Sequence, residues 1–177
     1  DVVDFGKSVY IVKARTQLMR DFGCYPAAQS AFYLNMGLET LPVRMERYCQ
    51  NAKKVAAFFK ASDKIAKVSY PGLEGDAYYE RAQKYLPMGT CGVISISIKG
   101  GRDAAVRFMD ALKLCCDEVH VADIRTCVLH PASATHRQLT DEQLVAAGID
   151  GGMVRVSVGL ENVDDIIADL TTALAAI

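Results

Sequence analysis

The chain is poor in several features that would each have assigned it a role. Among its 177 residues there is no tryptophan and only five prolines, and 20 basic against 21 acidic side chains leave a formal net charge of −1. That balance removes the general electrostatic case for a nucleic-acid or anionic-membrane ligand, which needs a basic face or tail. No apolar run approaches the ~18 residues of a membrane-spanning helix. No basic-then-apolar segment of the secretory type opens the chain. The six cysteines (Cys24, Cys49, Cys91, Cys115, Cys116 and Cys127) contain no C-x-x-C pair. Neither a zinc ribbon nor a thioredoxin-type motif is therefore present, and reduced, mostly buried thiols of a cytoplasmic protein are expected. Neither G-x-G-x-x-G nor a Walker phosphate loop occurs. An initiator methionine is missing too: the sequence opens Asp1-Val2-Val3-Asp4, which fits processing or a piece of a longer polypeptide.

What is present is ordinary globular material, 51% hydrophobic and 23% charged, enough for one domain or slightly more. Residues 8–22 carry Val9, Val12, Leu18, Met19 and Phe22 at helical spacing, and Gly23 is placed to end that helix. Pro26 suits the first turn of a second helix, with Ala27, Ala31, Phe32, Leu34 and Leu38. Thr40 and Pro42 restart a third, which runs to about Lys60 with Met45, Tyr48, Cys49, Ala52, Val55, Ala56 and Phe59 on one stripe. The period then changes. Residues 65–70 read as a short strand, 76–85 as a helix, and 91–99 as a clear strand with Ile94, Ile96 and Ile98 facing one way. A helix over 102–114 presents Val106, Met109, Ala111 and Leu112 as its apolar face. Val119 with Val121, and Cys127 to Leu129, suggest two short strands. Thr140-Asp141-Glu142-Gln143 is a capping-box pattern for a short helix stopped at Gly148. Val154, Val156 and Val158 form one face of a strand, and Asn162 can cap a last helix. The order predicts an α+β sheet with helices mainly on one face.

Arg155 is the most informative single residue, because it interrupts an apolar β-branched strand. Period two puts it with Ser157 opposite the valines. Its planar guanidinium would suit bidentate capture of a carboxylate. An arginine on the wet side of an edge strand fits the same spacing. The loop His130-Pro131-Ala132-Ser133-Ala134-Thr135-His136 holds two histidines and two hydroxyls, either a nucleophile cluster or side chains bonding their own backbone. Cys115, Cys116, His120, His130 and His136 match no zinc spacing, so no metal site is expected. Arg44, Arg47, Lys53 and Lys54 are interleaved with Glu46 and read as a solvated face or a subunit contact.

Four segments carry a family resemblance: 10–15, 37–47, 130–136 and Val154-Arg155-Val156-Ser157-Val158-Gly159-Leu160-Glu161. In that order they resemble the C-terminal portion of the Cys/Met-metabolism enzymes that use pyridoxal phosphate. Within the family, Ala14-Arg15, His136-Arg137-Gln138-Leu139 and 142–148 are most similar to the O-acetylhomoserine sulfhydrylase branch. The resemblance implies the C-terminal domain of an aminotransferase-type (fold type I) enzyme, a mostly antiparallel sheet with helices on one face. Residues 1–60 would be helices linking it to a preceding cofactor domain, and 61–177 an α+β domain that closes over substrate. Pyridoxal phosphate would be bound mainly by the preceding domain. None of the ten lysines here stands in the sequence context of the family's cofactor-binding lysine. No catalytic or cofactor-binding residue is therefore expected in this chain, which alone should be inactive.

By the same resemblance, Arg155 matches the arginine that holds the substrate α-carboxylate. His120, 35 residues earlier, stands where the family commonly has a small polar residue helping at that carboxylate, with Val119 beside it. Histidine departs from that pattern, and either lends only its backbone or tunes specificity with Val119. The 130–136 loop becomes a wall of the site. The implied partners are a small amino-acid substrate and further copies of the chain, as a homotetramer. The implied reaction replaces the acetate of O-acetylhomoserine by sulfide or a thiol. Methionine or cystathionine γ-lyase and cystathionine γ-synthase share Arg155 and stay open, as does a non-catalytic interaction domain.

Overall fold

A computed structural model describes residues 6–177. They form two compact units, the described part of Asp1–Leu41 and Pro42–Ile177. The first is entirely helical. A short turn, Gly6–Ser8, leads into α1 (Val9–Lys13), a π-helical stretch (Ala14–Met19) and α2 (Arg20–Phe22). This is the expected helix over 8–22, widened in its middle. Gly23 ends it at φ 65°, a left-handed conformation that glycine adopts without a Cβ clash. The next helix, α3 (Ala28–Glu39), begins with Ala27 as its N-cap, so Pro26 precedes it and does not lie in its first turn. No residue of 6–41 is buried.

The second unit opens with α4 (Leu41–Ala61), which contributes Ala52, Val55, Ala56 and Phe59 to the core. The stripe read from the sequence is correct at Tyr48, Ala52, Val55, Ala56 and Phe59. Met45 lies at the surface, and Asn51 takes a buried place on the same helix. Five strands follow: β1 (Ile65–Ser69), β2 (Val93–Ile98), β3 (Cys116–Asp117), β4 (Cys127–Leu129) and β5 (Met153–Ser157). They stand in the order β1-β2-β5-β4-β3. Every neighbouring pair is antiparallel except β3 with β4. The expected mostly antiparallel α+β sheet is therefore observed. A strand at Val119 and Val121 is not: the short strand falls at Cys116–Asp117, and both valines sit in the loop after it, half exposed.

The remaining helices are α5 (Tyr79–Tyr85), α6 (Gly101–Ala111), α7 (Asp141–Ala146) and α8 (Val163–Ala175). The capping box forms as read: Thr140 accepts from the Gln143 backbone, and the Gln143 side chain accepts from Thr140 N–H. Asn162 caps α8 by accepting from Asp164 N–H. In α6 the buried face is Ala104, Ala105 and Phe108, while Val106 is at the surface. Of the expected face, Met109, Ala111 and Leu112 pack partly buried against the core, and only Val106 lies outside it. Side chains of α4, α6 and α8 share one cluster with Ile94, Ile96, Ile98, Val128, Val154 and Val156. Each such fully buried aliphatic side chain contributes roughly 1.5–3 kcal/mol. By strand alternation the other face of the sheet carries Lys67, Ser69, Ser95, Ser97, Arg155 and Ser157.

Candidate functional site

The polar face of the sheet is organised around Arg155. The residue sits in β5, the central strand, with Ser95 of β2 opposite on one side and Leu129 of β4 on the other. It is therefore not on an edge strand. Its neighbours Val154 and Val156 are fully buried against the helices, so its own side chain leaves on the opposite face. There one terminal nitrogen, Nη2, donates to the Val119 carbonyl at 2.6 Å. The Nε–H is buried and has no hydrogen-bond partner among the described residues. A buried donor left unmatched costs about 1–3 kcal/mol, and an incoming acceptor recovers that penalty. A guanidinium fixed at one nitrogen with Nε free is a place for a carboxylate or a similar flat anion. Beside it, Lys67, Ser69, Ser95, Ser97 and Asp150 line a cavity of 260 Å³, with Ser97 Oγ donating to Asp150 at 2.8 Å.

The segment 118–126 runs along the β4 side and is pinned at several residues, among them Ala122. Ala122 donates its N–H to Ser157 Oγ at 3.3 Å, and its carbonyl accepts from Tyr48 Oη at 3.3 Å. Its φ is 60°, a left-handed value that alanine rarely adopts. Further along, Glu161 accepts from the Thr126 backbone and, at 2.9 Å, from its hydroxyl. Asn51 donates to the Gly159 and Glu161 carbonyls, each at 3.0 Å. A Cβ on Gly159 would lie 2.4 Å from the Arg125 carbonyl carbon and 2.5 Å from Thr126 N, so only glycine lets the two segments meet.

Arg155 and Val119 are thus brought together through the Val119 carbonyl, and His120 follows Val119 in the chain with its ring turned to Glu118 and Asp123. The His120 side chain is more than half exposed, with Nδ1 3.1 Å from Glu118 Oε2 and 3.6 Å from Asp123 Oδ2. Arg125 Nη2 lies 2.9 Å from Glu118 Oε2, and Arg125 Nε lies 3.3 Å from Asp123 Oδ1. Those bonds hold the Asp123 carboxyl below its usual range and keep Arg125 firmly protonated. Burial, reinforced by Asp123 and Glu118, pushes the Cys127 thiol up to about 11.

The polar side chains of the 130–136 loop find partners within it and at Gly151. His130 is buried, with Nε2 at 2.9 Å from the Gly151 carbonyl and Nδ1 at 2.8 Å from Ser133 Oγ. A carbonyl only accepts, so Nε2 carries the proton and Ser133 donates to Nδ1 in the neutral ring. Thr135 Oγ1 lies 2.9 Å from His136 Nδ1. Both hydroxyls are thus engaged locally. The sequence placed Tyr48 on an apolar stripe, Ser157 on the Arg155 face and Glu161 in a family segment without giving any of them a role, and it did not single out Asn51 or Thr126. Asn51 did leave a signal, as a polar residue within a helix's apolar stripe.

The chain matches the sequence profile of the Cys/Met metabolism PLP-dependent enzymes over residues 3–175. It is 45% identical over 166 residues to the O-acetyl-L-homoserine sulfhydrylase of Leptospira meyeri, covering 93% of this chain and 38% of that protein. It is 46% identical over 155 residues to the L-methionine gamma-lyase of Fusobacterium nucleatum subsp. polymorphum, covering 88% of this chain and 39% of that protein. Among solved structures it resembles a Campylobacter jejuni protein described as an O-acetylhomoserine (thiol)-lyase, determined with a pyridoxyl-lysine monophosphate. The TM-score is 0.87 at 38% identity, over 98% of this chain and 41% of that one. The fold is therefore that of the C-terminal domain of a fold type I, pyridoxal-phosphate-dependent enzyme. The chain belongs to the Cys/Met metabolism PLP-dependent family. It spans about two fifths of the length of the curated relatives it matches.

The residues present fit one end of the family's cofactor chemistry. None of the ten lysines is buried, and Lys60 and Lys64 are spent on backbone carbonyls. The unmatched Nε–H of Arg155 is a donor for an anionic group, carboxylate and phosphate alike.

Proposed function

We propose that this chain is the C-terminal, substrate-closing portion of an O-acetylhomoserine sulfhydrylase, an enzyme that exchanges the acetate on the γ-carbon of O-acetylhomoserine for sulfide or a thiol. The observation that carries the reading is the Arg155 guanidinium, anchored by the Val119 carbonyl at 2.6 Å with a buried Nε–H free to meet the α-carboxylate. Pyridoxal phosphate, when bound, supplies an electron sink for charge developing on the substrate carbons. It would be held mainly by polypeptide outside this chain. Arg155 binds the carboxylate and so fixes the direction of the substrate's Cα–H bond, which places the reacting carbon instead of leaving it to rotate. Val119 keeps the guanidinium from swinging. His120 either lends its backbone at the same carboxylate or reads the substrate side chain. On this reading the working enzyme is a cytoplasmic homotetramer with methionine or cysteine biosynthesis as its setting, and the chain alone is inactive.

Arg155→Ala in the longer enzyme is expected to lower kcat/KM by the equivalent of roughly 2–5 kcal/mol, because a buried charged partner of the substrate is removed. Wild-type kcat/KM in that variant would falsify the assignment. A γ-lyase is the second reading, favoured by the 46% identity to a methionine γ-lyase. The two separate by product: homocysteine from O-acetylhomoserine plus sulfide supports the first, and α-ketobutyrate from methionine as the main product supports the second.

A further inference from the structure

On the segment that carries the Val119 carbonyl, one cluster gathers four metal-binding groups of three chemical kinds. Ligand atoms of Glu118, His120, Asp123 and Cys127 all lie within 4.8 Å of one another. The backbone explains how. The parallel β3–β4 pairing continues as Glu118 N–H donating to Val128 O at 3.2 Å, which sets Glu118 beside the strand that carries Cys127. The left-handed turn at Ala122 then reverses the chain and returns Asp123 to His120. Cys127 is buried, yet its Sγ lies 3.8 Å from Glu118 Oε2 and so faces the cluster. His120 closes the outer side, with its ring open to solvent for entry.

We propose that Glu118, His120, Asp123 and Cys127 form a binding site for a borderline-soft divalent ion such as zinc, in which the Arg125 guanidinium holds the cation's place at the two carboxylates. One thiolate, one imidazole and two carboxylates make a four-coordinate set that zinc takes at ~2.0–2.3 Å per bond. Tetrahedral ligands at that bond length stand ~3–4 Å apart, so the four atoms need close only by small side-chain rotations. Sulfur with imidazole disfavours magnesium and calcium, which prefer oxygen. That the pocket already accepts a cation is shown by Arg125, bonded to both carboxylates. Arg125 is half exposed, and exposed ion pairs are weak, so it can yield to a chelated ion. Binding transfers the Cys127 thiol proton to solvent as the metal–sulfur bond forms, with no change of oxidation state.

Cobalt(II) titrated into the protein, followed by competition with zinc, tests this. Tetrahedral cobalt with a thiolate ligand shows intense visible ligand-field bands and a sulfur-to-metal charge-transfer band. One cobalt per chain and displacement by zinc are expected. His120→Ala and Cys127→Ser should each weaken cobalt binding about tenfold or more, the second also removing the charge-transfer band. Arg125→Gln should tighten binding, since the competing cation is gone. Cys24→Ser, at an exposed thiol elsewhere, should change nothing. His120 is exposed, so its variant keeps the test clean where the buried Cys127 change disturbs folding. Bands that persist unchanged in His120→Ala and Cys127→Ser overturn the site, as does the absence of saturable cobalt binding.

Discussion

The two units treat the same kind of sequence pattern in opposite ways. In the first, Val9, Leu18, Phe22, Phe32, Leu34 and Leu38 recur at helical spacing, yet all are exposed. In the second, Tyr48, Ala52, Val55, Ala56 and Phe59 recur at the same spacing and all are buried. Periodicity therefore reports the secondary structure in both but the burial in only one. What separates them is a sheet. The second unit offers Ile94, Ile96, Ile98, Val154 and Val156 as one apolar face for a helix to cover, and the first contains no strand among its described residues.

A pair of truncations measures the difference most strongly. Phe59→Ala removes a fully buried ring from the core and should cost about 3–5 kcal/mol of stability in a denaturant melt. Phe32→Ala, in the same chain and the same assay, should stay within about 0.5 kcal/mol, because its ring is already 60% exposed. Equal losses at the two positions would show that the first unit hides a core of its own.

Much of the fold was legible because local rules and packing agreed. Gly23, the Thr140 capping box, the Asn162 cap and the isoleucine alternation each name one structure and found it. The misreadings came where packing chose between equal local options. Val119 and Val121 favour a strand, but Ala122 turns left-handed and the segment becomes a loop held by Tyr48 and Ser157. Val106 was placed on the core face of α6 with Met109, Ala111 and Leu112, but it lies at the surface while Ala104, Ala105 and Phe108 take the fully buried places. At the site, Arg155 was visible as a charge within a β-branched strand. Its central position was not, since strand order depends on pairings distant in sequence. The convergence of Glu118, Asp123 and Cys127 on His120 was invisible for a local reason, because the four lie within one short segment and the left-handed turn at Ala122 that gathers them is not an alanine's usual choice.

Within the second unit, a smaller effect should follow from the charge that ties α8 to the end of α6. The Asp169 carboxylate accepts from the backbone N–H groups of Lys113, Leu114 and Cys115 at 2.9–3.3 Å. Burial works to raise its pKa, but the three donors win and hold it below the usual value. Its stabilisation is thus complete above the unfolded carboxyl value of about 3.9. That contribution is lost as pH falls through the lower folded value. Asp169→Ala should cost about 1–3 kcal/mol by stranding those donors. Asp169→Asn should flatten the acid limb of the stability profile, and an unchanged limb would assign that limb to other carboxylates.

The smallest expected effect lies at the loop beside Arg155, where the second unit stores strain that the helices of the first do not. Ala122 holds φ 60° between a bond to Ser157 and one from Tyr48. For a residue with a Cβ this conformation costs roughly 1–2 kcal/mol, and glycine escapes that cost while losing more backbone entropy on folding. Ala122→Gly should therefore raise stability slightly, by at most about 1 kcal/mol. If it lowers stability instead, the freedom gained by the unfolded chain outweighs the relieved clash, and the alanine is earning its place by stiffening the segment that presents the Val119 carbonyl to Arg155.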